Sequence, residues 1–194
     1  HVALTHRDPE VLKATMALAR ILGAVFAGTE LREAIFTHGS AWLSRRTAEQ
    51  WSRDPDHVVI GQRVSPACYI AEAFPASLYL AWKYADDFEA GVIANANVGG
   101  DNCHRGAVIG TLLGAAAGTG FIPARFCDGL HDAAALRSLL CRIKKTKASY
   151  TAGSVLTRPS PTNRTAPLLS RKDYEPRLRR PPQGCAPCSI LGAF

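Results

Sequence analysis

Glycines at positions 106, 110, 114 and 118 recur every four residues through an apolar run that ends at Ile122-Pro123. Each glycine inside a helix costs roughly 1 kcal/mol against alanine, so four on one slowly rotating face require a compensating contact. The contact expected is a neighbouring backbone that comes very close, which makes this segment a core helix. A membrane-spanning helix needs about 20 predominantly apolar residues, and this run is shorter and broken by Ile-Pro. Immediately before it stands Asn97-Val-Gly99-Gly100-Asp101-Asn102-Cys103-His104-Arg105. The glycine pair permits a tight turn, and Asp101 or Asn102 falls where a helix cap belongs.

Four or five helices in all account for the first 143 residues, with no strand alternation. Asp8-Pro9-Glu10 is a helix start: a capping Asp, Pro in the first turn, then Glu at the positive end. An apolar face from Val11 to Val25 follows and stops at Gly28. Thr29 is the expected cap of a second helix. Residues 39–60 carry Trp42, Trp51 and an Asp54-Pro55-Asp56 turn and are read as irregular. Residues 67–84 are read as a long buried helix kinked or split at Pro75. Asp86-Asp87-Phe88-Glu89 starts another, reaching Ala96, and residues 133–143 form the last. The body is predicted to be all-α.

Charge divides the chain. Residues 1–143 hold 13 Lys/Arg against 14 Asp/Glu, whereas 144–194 hold 10 against 2. A near-neutral body argues against a nucleic-acid groove, which needs clustered cations. The basic end, with seven of the twelve prolines, is expected to be disordered and to bind polyanions only weakly. The domain boundary is thus placed between 143 and 144. Cys68, Cys103, Cys127 and Cys141 are expected to be buried and reduced, which suits a cytoplasmic location. Cys185-Ala-Pro-Cys188 has the spacing of a redox or metal pair but lacks a second pair.

On chemistry alone, Asp101, Cys103 and His104 admit two readings. Three residues apart, Asp101 and His104 share one helix face and are placed to bind a metal with Cys103. Oxygen ligands suit magnesium; Cys and His suit softer ions such as zinc. The alternative is an N-cap Asp, a buried Cys and a hydrogen-bonded His. Arg105 is read either as a phosphate contact or as a surface salt bridge. His6 is read as structural, and the spacing of His38 and His57 assigns them no role.

The run from Asn97 to Gly118 resembles the C-terminal signature of the ADP-ribosylglycohydrolase family, the dinitrogenase reductase-activating type. That signature is approximately Asn-x-Gly-Gly-Asp-x-Asp-Thr followed by a glycine-spaced helix. Asn97, Gly99, Gly100, Asp101, Ala107, Gly110, Gly114 and Ala115 match it. Phe74-Pro75, Phe88-Glu89, Gly120 to Pro123 and Asp128-Gly-Leu fall where the family has similar elements. The resemblance implies an orthogonal helical bundle around a magnesium centre. It also implies hydrolysis of an N- or O-glycosidic bond of ADP-ribose, on a modified protein or a small ADP-ribose compound, away from membranes. It places Asn97, Gly99 and Gly100 against substrate and Asp101, Cys103 and His104 at the metal. Cys103 stands where the family has a second Asp and His104 where it has Thr, so the magnesium chemistry does not carry over whole. The family's Gly-Asp and Thr-Asp-Asp-Thr elements, which belong to its N-terminal half, have no counterpart in these 194 residues. The expectation is therefore a C-terminal part of a larger enzyme, not catalytic alone. The other expectation is a non-catalytic relative that binds ADP-ribose or serves a structural, crystallin-like role.

Overall fold

A computed structural model describes residues 1–151. Among them are nine α-helices and no strand: α1 (Pro9–Phe26), α2 (Leu31–Gly39), α3 (Arg45–Trp51), α4 (Asp56–Val58), α5 (Ile70–Lys83), α6 (Phe88–Asn97), α7 (Asn102–Ala117), α8 (Ala124–Asp128) and α9 (Ala133–Thr151). The all-α expectation holds. Helix α9 runs past the boundary placed at 143, and the rest of the basic end, including Cys185 and Cys188, lies outside the described residues.

Helix α1 begins as its first residues dictate, with an Asp8 carboxylate oxygen accepting from the amides of Glu10 and Val11. Its buried stripe is Ala14, Ala17, Ile21 and Val25. Helix α2 is capped one residue later than expected. The Thr29 amide closes the end of α1 on Ala24 O, and the Glu30 carboxylate accepts from the Glu33 amide instead. The stretch read as irregular contains α3, whose cap is Ser44 accepting from the Thr47 amide, with fully buried Ala48 pinning it to the core.

Helix α5 is the centre of the core, and Pro75 does not split it. Every residue from Phe74 to Ala81 is buried. Burying a large apolar side chain gains about 1.5–3 kcal/mol. Leu78, Tyr79 and Leu80 together outweigh the roughly 3 kcal/mol that an interior proline costs. Helices α1, α2, α6 and α7 pack on α5, and α6 and α7 pack on each other.

A half-buried carboxylate ties the first residue of α4 to the end of α5. Asp56 accepts from Lys83 Nζ at 2.7 Å and from the hydroxyls of Tyr84 at 2.5 Å and Tyr79 at 3.3 Å. Burial, reinforced by the hydrogen bond to anionic Asp56, pushes the Tyr84 phenol up to about 12, and Tyr79 is raised too. Both phenols are held neutral, so their contribution is intact below the ordinary tyrosine value of about 10 and is lost as pH rises through the folded values. In an alkaline titration followed by tyrosinate absorbance, two of the five tyrosines are expected to ionise late, together with loss of helix. All five titrating near pH 10 with helix intact would contradict this.

The glycine repeat needs correcting. Helix α7 buries only one face, made by Arg105, Ile109, Leu112 and Leu113. A Cβ at Gly110 would meet nothing within 4 Å, and at Gly114 only ordinary contacts. The close approach lies on the partner helix, where a Cβ at Gly91 of α6 would sit 2.6 Å from Leu113 Cδ1. The cysteines also differ from expectation: Cys68, Cys103 and Cys141 are exposed and Cys127 is half-buried. No helix among the described residues is long and apolar enough to cross a membrane.

Candidate functional site

Between α6 and α7 the backbone takes two consecutive left-handed steps, at Gly99 (φ 66°) and Gly100 (φ 64°). Gly100 has a second constraint: a Cβ there would lie 2.4 Å from Pro66 O. That carbonyl accepts from the Asp101 amide at 2.9 Å, so the turn is seated against the segment that leads into α5.

The residue that locks this turn is one the spacing argument misassigned. Arg105 is neither a phosphate contact nor a surface ion pair but is 1% exposed. Its guanidinium donates from Nε to Asn95 Oδ1 (3.1 Å), from Nη1 to Pro66 O (3.0 Å) and from Nη2 to Gly99 O. Asn95, itself buried, turns its amide nitrogen to Asn102 O at 2.8 Å and so joins the end of α6 to the start of α7. Gly106 leaves room for it, since a Cβ there would be 3.1 Å from Asn95 Nδ2. Burial pushes the Arg105 guanidinium below its ordinary value, and Asp101 beside it opposes that shift. One sequence sign was available: Asn95 is a lone amide within the apolar run Val92-Ile93-Ala94 and Ala96, and a buried amide needs partners.

Asp101 occupies the N-cap position of α7, yet its side chain makes no cap hydrogen bond. Both carboxylate oxygens face His104 Nδ1, at 2.7 and 2.8 Å. His104 donates through Nδ1–H, and its ring is 84% exposed, which leaves Nε2 to solvent. The pair sits at the positive end of the helix, where an anion is favoured. The structure thus joins Asp101 and His104 as their three-residue spacing indicates. Cys103 is exposed, and among the described residues no three His, Cys, Asp or Glu side chains gather as a cation site would require on protein ligands alone. One carboxylate completed by water and ligand oxygens is nonetheless a mode that magnesium accepts. A histidine whose other ring nitrogen faces a carboxylate is the usual arrangement for a metal-binding imidazole.

Asn97 points to a different feature. It lines an open depression of about 410 Å³ with Asp56, His57, Tyr84, Ile93 and Ala94. Gly99 and Gly100 belong to the Arg105 turn instead. His38 lies in a second depression, with Trp42, Lys13 and Arg20. Asp87 caps α6 through the Ala90 amide and Asp86 pairs with Arg32, so both carboxylates of that acidic pair serve structure.

The family model described as ADP-ribosylglycohydrolase matches residues 1–152. No curated protein and no solved structure matches the chain.

Proposed function

The chain belongs to the ADP-ribosylglycohydrolase family, and on that premise we propose that it acts in hydrolysis of an N- or O-glycosidic bond of ADP-ribose, with Asp101 and His104 at a divalent cation. The substrate class is an ADP-ribosylated protein or a small ADP-ribose compound, and the compartment is the cytoplasm. The observation that carries this reading is the Asp101 carboxylate, fixed by the Gly99-Gly100 turn but not engaged by the helix amides it caps.

Cleavage at the ribose C1 passes through an oxocarbenium-like state, so negative charge nearby stabilises it. A divalent cation, when bound, supplies a grip on ribose hydroxyls and a more acidic water. Asp101 would hold that cation by a hard oxygen. His104, oriented through Nδ1, offers Nε2 to the cation, a water or a ribose hydroxyl. The Asn97 amide and the glycine turn are the proposed contacts to the rest of the ligand.

A second reading has its own support. Cys103 stands in place of a second carboxylate, and no third ligand joins Asp101 and His104 among the described residues. A protein that binds ADP-ribose without turnover fits that shortage, as does a structural role. Protein expressed from the complete reading frame separates the readings. Release of ADP-ribose from an ADP-ribosylated peptide that requires Mg²⁺ and stops on chelation is the expected result. Binding of ADP-ribose with no release would favour the second reading, and neither binding nor release would sink both of these ligand-based roles.

A further inference from the structure

We infer that Arg105 is a positioning residue, which holds the carboxylate of Asp101 at its place in the site by fixing three chain segments at once. The inference deepens the proposed function and rests on the metal role given there to Asp101.

Its three acceptors come from different elements: Asn95 from α6, Gly99 from the turn, and Pro66 from the segment before α5. Pro66 O also takes the Asp101 amide, so a single carbonyl fixes the backbone of residue 101 and the guanidinium behind it. Three acceptors in three directions suit a planar, five-donor fork and not a single ammonium.

The energetics point the same way. Taking a charge out of water costs several kcal/mol even after relaxation. The next positions on the same face, Ile109, Leu112 and Leu113, fill the core with apolar side chains at no such cost. All three acceptors of the Arg105 guanidinium, one side-chain amide oxygen and two backbone carbonyls, are neutral, and among the described residues it makes no ion pair with a carboxylate. A packing role alone would be better met by an apolar residue. What arginine adds is a fixed turn whose carboxylate stays available: the guanidinium is satisfied by amide oxygens, and Asp101 keeps both of its oxygens towards His104.

The test compares Arg105→Met and Arg105→Lys with Leu112→Ala, a core variant on the same helix face that is expected to cost about 2–5 kcal/mol. ADP-ribose affinity in Mg²⁺ is measured well below the lowest unfolding midpoint, and hydrogen exchange is followed at the Asp101 amide. Arg105→Met is expected to weaken binding by about 10- to 100-fold, the range for groups that orient metal ligands. Arg105→Lys keeps the charge but not the fork, and is expected to recover part of that loss. Leu112→Ala is expected to stay within about twofold of wild type, as a site that shares no partner with the turn. Protection of the Asp101 amide should fall in the Arg105 variants only. If Arg105→Met does not fold, Arg105→Lys against Leu112→Ala carries the comparison. Arg105 variants that bind as well as Leu112→Ala, with Asp101 protection unchanged, overturn the inference. Failure of wild type to bind ADP-ribose refutes the proposed function instead, and the amide exchange then decides whether Arg105 fixes the turn.

Discussion

Gly100→Ala is expected to lower stability by about 2–5 kcal/mol in chemical denaturation. Left-handed backbone costs a Cβ-bearing residue about 1–2 kcal/mol. Forcing an atom into a filled space adds about 1–3 kcal/mol, and here the obstacle is the Pro66 backbone carbonyl, which cannot swing aside as a side-chain tip would. Gly99→Ala is the internal control. Gly99 has nearly the same φ but nothing within 4 Å of its would-be Cβ, so only the conformational cost of about 1–2 kcal/mol applies. Equal losses in the two variants would mean that the turn is not seated on Pro66.

Asp101→Ala is expected to show the opposite pattern, with a large loss of function and little loss of fold. An ordinary N-cap Asp replaced by alanine costs about 1 kcal/mol because a side-chain bond to the helix amides is lost. Asp101 makes no such bond, so the unfolding midpoint should move less than that. Mg²⁺-dependent release of ADP-ribose by protein from the complete reading frame should fall by about 10²–10³-fold or more, the range for removing one preorganised charge-stabilising group. A variant that loses stability in proportion to its activity would reduce Asp101 to a structural cap.

The parts of this fold legible in the sequence are those coded locally. Asp8-Pro9-Glu10 and Asp87 state their helix starts within four residues, because a cap reaches only the next turn. The Ser44 cap of α3 was equally local, but the two tryptophans and the Asp-Pro-Asp turn around it masked the signal. Of the kink or split that Pro75 predicts, the split does not occur, because the cost of proline is local, whereas the burial that outweighs it comes from α1, α2, α6 and α7. The glycine pattern of α7 implies a close neighbour along the repeat, but of its four glycines only Gly106, against Asn95 of α6, has one, and the tightest contact of this helix pair falls on Gly91 of α6.

The candidate site divides in the same way. Asp101 and His104 are three residues apart on a helix start, and their contact follows from that spacing. The role of Arg105 depends on a carbonyl 39 residues earlier in the chain, which no local pattern encodes. Asn97 likewise shares its depression with His57 and Tyr84, brought there by α4 and the end of α5.

The most direct test of a metal-assisted ADP-ribose site at this turn is a calorimetric titration of ADP-ribose into wild type and Asp101→Ala, each with Mg²⁺ and with a chelator. Saturable binding that needs Mg²⁺ and disappears in Asp101→Ala is the predicted result. Binding of equal strength in all four titrations would contradict it, and would move the ligand away from the Gly99-Gly100-Asp101 turn.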